Sequence, residues 1–297
     1  MKFVTVKDQD CEFIGLVDES EKLVLPLKKL WDQLEKGAFP STMLEAVELG
    51  DEFITKVQRL VENVTSESYI PLDSVTTLAP LTKLRKNIFC VGKNYVEHAI
   101  EMGSEKDIPK HPIIFTKAPT TVVGYGAEVQ NHQDVTSELD YEGELAVIIG
   151  KKGSKISREE ALDYVFGYTI LNDVTARDLQ AQHKQFFIGK SLDTTCPMGP
   201  WIVHASAIEN PHHLALETKI NGEVRQSSNT KHFIFPIDEI IHVLSKGMTL
   251  EPGDIIATGT PAGVGKGYKP PRFLKPGDKM EITIEKIGTL VNTISEK

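Results

Sequence analysis

Three carboxylates recur at every second position in Leu139-Asp140-Tyr141-Glu142-Gly143-Glu144-Leu145-Ala146-Val147-Ile148-Ile149-Gly150. Alternate residues of an extended chain leave the same face, so Asp140, Glu142 and Glu144 would stand side by side where an apolar strand begins. Like charges held that closely repel, and buried carboxylates without partners are costly, so one reading is a cation for them to hold. The other is an edge strand whose acidic outer face is simply wet. The stretch by itself leaves both open.

Other residues suited to chemistry are spread along the chain. His98 and Glu101 are three apart after Asn94, which would cap a short helix, and share one helical face. A carboxylate so placed orients an imidazole that acts as a general base, although a surface His/Glu pair without a task has the same spacing. The charged Met102–Pro112 stretch that follows, with Gly103 and two prolines, is a lid candidate. Asp173 ends an apolar run and precedes a helical segment carrying Arg177 and Gln180; it suits a site carboxylate, an N-cap, or both. Lys190 follows Phe186-Phe187-Ile188-Gly189 and would be partly desolvated, able to meet an anionic group, whereas Lys117 at a strand end reads as solvated. Thr258–Gly267 is glycine-rich but is no P-loop, because Thr260 and Gly267 stand where that motif needs glycine and a hydroxyl residue. It reads as a tight loop whose amides and Thr260 hydroxyl approach a small anion, or as a surface turn.

These residues need a scaffold. Lys2–Val6, Cys11–Val17 and Lys22–Leu25 read as a small antiparallel sheet, followed by helical spacing over Leu27–Lys36, Ser41–Leu49 and Asp51–Asn63. Thr65–Lys86 reads as a connector. Buried strands are expected over Asn87–Gly92, Pro112–Lys117 and Val165–Asp173, with a Ser157/Glu160 capping box opening a helix through Tyr164. Asn221-Gly222 signals a hairpin, Pro236–Ser245 an amphipathic helix, and Pro-Gly-Asp turns precede strands Ile255–Thr258 and Lys279–Ile284, with a last strand near Gly288–Ile294.

The chain of 297 residues can bury a large core. Its formal net charge of -9, with no basic cluster, argues against nucleic acid, and an anionic substrate must be met by local charge. Three scattered cysteines, no signal-like start and no membrane-length apolar run suggest a reduced, cytoplasmic protein without membrane association.

In order and spacing, Gly92-Lys93-Asn94-Tyr95…His98…Glu101, Pro112…Phe115…Lys117, Asp140-Tyr141-Glu142-Gly143-Glu144-Leu145, Asn172-Asp173…Thr175-Ala176-Arg177-Asp178-Leu179-Gln180, Gly189-Lys190-Ser191 and Thr258-Gly259-Thr260-Pro261 resemble the fumarylacetoacetate hydrolase family, over roughly residues 87–290. The likeness is to its compact bacterial members, here with an N-terminal extension. It implies an α+β fold with a catalytic domain over 83–297 built on a mixed β-roll or barrel, beside the small α+β domain that the residues themselves suggest over 1–82. It also implies a homodimer and a divalent cation held by Glu142, Glu144 and Asp173. A His98–Glu101 dyad on a closing helix, substrate contacts from Arg177, Gln180, Lys190 and Thr260, and a supporting place for Asp140 complete what it implies. Lys93-Asn94-Tyr95 lacks the further Asp ligand of the larger eukaryotic members, which argues against fumarylacetoacetate as substrate.

An all-oxygen ligand set favours Mg²⁺ or Mn²⁺, to which a small 2-oxo acid would bind through its carboxylate and ketone. The expected chemistry is carbon–carbon cleavage through a stabilised enolate, first oxaloacetate decarboxylation to pyruvate, with His98, Glu101 and Lys190 as catalytic groups. Acylpyruvate hydrolysis, isomerisation or decarboxylation of an aromatic-degradation intermediate, and a non-catalytic 2-oxo acid-binding role are the alternatives.

Overall fold

A computed structural model describes residues 1–20, 22–34, 37–62 and 64–297. The expected helix ends at Lys36 and Asn63 lie outside the described residues. β1 (Lys2–Asp8), β2 (Cys11–Asp18) and β3 (Leu23–Pro26) form the antiparallel start, followed by α1 (Leu27–Leu34), α2 (Met43–Leu49) and α3 (Asp51–Val61). Then come β4 (Ile88–Gly92), α4 (Val96–Glu101), β5 (Ile113–Lys117), β6 (Gly143–Ile149), β7 (Val165–Asn172), α5 (Arg177–His183), α6 (Phe187–Lys190) and β8 (Cys196–His204). β9 (Ala215–Ile220), β10 (Glu223–Asn229), α7 (Ile237–Ser245), β11 (Ile255–Ala257), β12 (Lys279–Ile284) and β13 (Gly288–Ile294) complete the chain.

The fold is α+β and rich in sheet. Its main sheet runs β3-β2-β1-β8-β7-β6-β11-β4-β5 and stays open, so no closed barrel forms. Because β1 pairs with β8, the N-terminal strands extend the same sheet that carries the site, and the expected connector adds short strands beside β3 and β1. β9, β10, β12 and β13 form a second sheet, in which Asn221 and Gly222 both take positive φ in the tight turn that their dipeptide predicts.

β6 and β7 are buried along their whole lengths because both faces are covered. Leu145, Val147 and Ile149 pack in one core with Leu216, Ile282 and Ile240; the alternate Ala146 and Ile148 pack with Phe3, Trp31 and Phe53 of the N-terminal layer. This sandwiched position fixes the ends of β6 and β7, from which the carboxylates emerge.

Two local expectations fail. Ser157 and Glu160 do hydrogen-bond each other, but the chain must enter β7 at Val165, leaving room only for a 3₁₀ turn at Ala161–Tyr164. The helix expected directly from Asp173 starts at Arg177 instead, because Thr175–Ala176 first pairs with Leu139–Asp140. Among the described residues no helix is long and apolar enough to cross a membrane.

Candidate active site

The β6/β7 register sets Gly143 opposite Asn172, which brings Glu142, Glu144 and Asp173 to one end of the central strands. Asn172 Oδ1 accepts the Glu142 N–H at 3.0 Å and Asp173 N–H donates to the Glu142 carbonyl at 2.9 Å, so the two loops entering the site are tied together. The three carboxylates are buried, with ligand oxygens within 4.8 Å of one another.

Asp140 is not part of that group. The extended run breaks at Tyr141-Glu142, and Asp140 turns to Arg177 Nε (2.8 Å) and to the N–H groups of Gly265 (2.6 Å) and Lys266 (3.0 Å). The even spacing that suggested one stripe of three assumed a continuous strand, and the break removes one member.

Cations surround the cluster. Lys190 Nζ donates to Glu142 and Asp173, both at 2.7 Å, and Arg177 lies 2.7 Å from Glu142. Lys117, expected in solvent, is fully buried: its Nζ lies 2.9 Å from Asp173 Oδ1 and donates to the Val174 carbonyl at 3.0 Å. The signal in the sequence was only a lysine closing the apolar run Ile113–Lys117, for which a solvated strand end is the common explanation.

Charge is unevenly shared. Burial opposes ionisation of Glu142, but Lys190 and Arg177 outweigh it and hold the carboxyl down at about 2. Burial also opposes the charge of Lys190, and Asp173 and Glu142 reverse that, raising it above the usual lysine range. Glu144 has no such rescue. Burial, then repulsion from Asp173 and Glu142, push it well above the ordinary carboxylate range, with a Gly259 N–H at 2.7 Å as its hydrogen-bond donor. Asp140, Glu142, Glu144 and Asp173 face Lys117, Arg177 and Lys190, so ionising all four carboxyls would leave the buried set one positive charge short. Hard oxygen donors and a carboxyl without a counter-charge fit a hard divalent cation at Glu142, Glu144 and Asp173.

The sign of the pH dependence follows. A raised Glu144 keeps its proton in the metal-free fold, whereas the unfolded chain loses it near pH ~4.3. The metal-free protein therefore loses stability as pH rises from there through the raised value of Glu144. Cation binding must expel that proton, so affinity should rise with pH, by up to about tenfold per unit. Calorimetry in buffers of different ionisation enthalpy counts the proton; cation binding that releases none at any pH where the protein is folded would contradict this.

His98 is buried on α4 with Nδ1 3.2 Å from Glu101 Oε2. Asn94 does not cap α4. Its side chain bonds Phe235 N and O and Thr258 O, pinning the turn before the helix to two distant loops. The other Glu101 oxygen accepts the Gly263 N–H at 2.9 Å. The glycine-rich loop thus spends its amides on the protein's own carboxylates. Thr260 donates to the Gly143 carbonyl and accepts from Gln226, a buried strand residue that no spacing or motif singles out. A Cβ at Gly267 would fall on the Glu101 carboxylate. Gly267→Ala is therefore expected to leave the melting temperature nearly unchanged while lowering turnover roughly tenfold or more, by misplacing the His98 partner. Wild-type kcat in a folded variant would refute it.

A cavity of about 290 Å³ joins these parts; His98, Glu142, Glu144, Arg177, Lys190 and Thr260 line it. Gln180, which accepts from Arg177 at 3.2 Å, lines it too. Every residue expected to hold cation or substrate or to act in catalysis thus touches this cavity except Asp173, reached through Lys190, and Glu101, reached through His98.

The profile described as fumarylacetoacetate (FAA) hydrolase C-terminal matches residues 87–295. The chain belongs to the fumarylacetoacetate hydrolase family. It is 56% identical to the oxaloacetate tautomerase YisK of Bacillus subtilis, over 99% of this chain and 100% of that one. Among solved members of the fumarylacetoacetate hydrolase family, that of Exiguobacterium antarcticum superposes with a TM-score of 0.86 at 41% identity, covering 100% of both chains. The maleylpyruvate hydrolase of Sphingobium sp. SYK-6 superposes with a TM-score of 0.79 at 27% identity, covering 99% of each. The N-terminal unit therefore lies within the shared length, although the family profile begins after it.

Proposed function

We propose that this protein interconverts the enol and keto forms of oxaloacetate by proton transfer at a divalent-cation site. The observation that carries the reading is His98, buried and held by Glu101 on Nδ1, lining the same small cavity as Glu142 and Glu144. The substrate is supported by the 56% identity to an oxaloacetate tautomerase across both chains.

Mg²⁺ or Mn²⁺ held by Glu142, Glu144 and Asp173 would supply Lewis acidity toward the carboxylate and 2-oxo oxygens of the substrate. The free imidazole nitrogen of His98 takes a proton from C3 and delivers one to the 2-oxo oxygen, which becomes the enol hydroxyl, or the reverse. Glu101 fixes the ring and supports its charged form while the proton is on it. Arg177 and Lys190 balance the negative charge at the inner end of the cavity, and Met102, Phe115 and Phe186 give it apolar walls.

Decarboxylation of oxaloacetate to pyruvate is the second reading, favoured by the same cluster of Lys190 and carboxylates; it differs in the bond broken and needs no attacking water. The protein is taken as a homodimer with no nucleic-acid or membrane partner, as the family resemblance and charge suggest. The experiment is to add cation-loaded protein to freshly dissolved enol oxaloacetate, following enol absorbance and pyruvate together. Faster enol loss without pyruvate supports tautomerisation, pyruvate above the free-metal rate supports decarboxylation, and neither would dismiss oxaloacetate as substrate.

A further inference from the structure

The cations around the cavity divide into two classes. Arg177 and Lys190 at its inner end are already matched by buried carboxylates at 2.7–2.8 Å. Lys93 and Lys266 also line the cavity, but their partners are on the surface: Asp107 at 3.8 Å from Lys93 and Glu138 at 3.0 Å from Lys266. Exposed pairs of this kind are weak, so exchanging either partner for a substrate anion costs little.

The backbone marks the same two residues. Lys93 holds φ at +54°, a left-handed conformation that glycine would adopt without strain, in the turn that Asn94 pins from both sides. That turn sets where the Lys93 side chain starts. Lys266 is fixed from below, its N–H donating to Asp140. The protein as a whole, at a net charge of -9, repels a dianion, so recognition of one needs local cations that are not already neutralised.

We propose that Lys93 and Lys266 together receive the distal carboxylate of a four-carbon 2-oxo dicarboxylate and make the site selective for dicarboxylic over monocarboxylic 2-oxo acids. The inference rests on the proposed substrate class and adds the residues that select within it. The 2-oxo carboxylate end lies toward Lys190 and the acidic cluster, the methylene passes the apolar wall, and the second carboxylate meets the outer lysines.

The test compares ligands that differ by one group. Malate and 2-hydroxybutyrate share a 2-hydroxy acid head and carry a carboxylate or a methyl at the far end. Calorimetry of the Mg²⁺-loaded protein should show malate binding at least about tenfold more tightly. In the Lys93→Gln/Lys266→Gln double variant, which keeps both stems, malate should weaken roughly tenfold while 2-hydroxybutyrate stays within about twofold. No preference for malate in the wild type, a preference that survives the double variant, or equal weakening of both ligands would overturn the proposal. Circular dichroism and the melting temperature of the variant check the fold. Turnover is read separately: a malate preference that the variant removes, in a wild-type protein inactive on oxaloacetate, would leave the subsite standing and remove the proposed reaction.

Discussion

Asp173→Ala should destabilise the metal-free protein by about 3–5 kcal/mol and abolish cation binding. Asp173 is fully buried between Lys117 and Lys190, themselves 0% and 2% exposed. Deleting it removes the carboxylate that both ammonium groups touch and, while Glu144 keeps its proton, leaves three buried cations facing two carboxylates, which is the expensive way to break a buried pair. Asp173→Asn separates the two effects. It keeps the size and one oxygen acceptor, so it should recover part of the stability while binding Mg²⁺ or Mn²⁺ far more weakly. Urea unfolding and cation titration check both; an alanine variant as stable as wild type would mean that the two lysines find other partners or lose their protons cheaply.

His98→Ala should have the largest effect on turnover alone, lowering kcat by about 10²–10⁴ with cation affinity nearly unchanged. The imidazole is not one of the three grouped carboxylate ligands, and its side-chain hydrogen bond among the described residues is to Glu101. Glu101→Gln should fall between wild type and the alanine variant, because the amide can still orient the ring but cannot stabilise its charged form. Full enol–keto activity in His98→Ala would move the proton-transfer role elsewhere in the cavity.

Much of this site was legible because its chemistry sits where strands end. Glu142 and Glu144 are two apart at the start of a β-branched run, and Asp173 closes another such run; their convergence needs only adjacent pairing of those two strands, which the register supplies. Spacing could not show where a strand breaks. Asp140 therefore looked like a third member of a stripe, although its oxygens face Arg177 and a loop more than a hundred residues downstream. Lys117 and Asn94 misled for a related reason. A terminal lysine or a pre-helical asparagine has a common local explanation, and only the packing of β4 against β5 and the distant Phe235 and Thr258 carbonyls reveals the other one. The open sheet and its shared N-terminal strands were likewise out of reach, since the β1–β8 pairing joins residues some two hundred positions apart.

The Thr258–Gly267 loop delivers N–H groups from Gly259, Gly263 and Gly265 to Glu144, Glu101 and Asp140 in turn. Surface loops ordinarily absorb insertions and deletions with little harm. Here the interval between successive donors is a fixed measure, because each contact belongs to a different carboxylate with a different task. Losing one residue between Gly259 and Gly265 would shift the later donors together, unsettling the cation end, the proton-transfer end and the Arg177 anchor at once. This segment, in which Lys266 is the exposed position, should refuse any change of length, which separates a measuring loop from a merely flexible one.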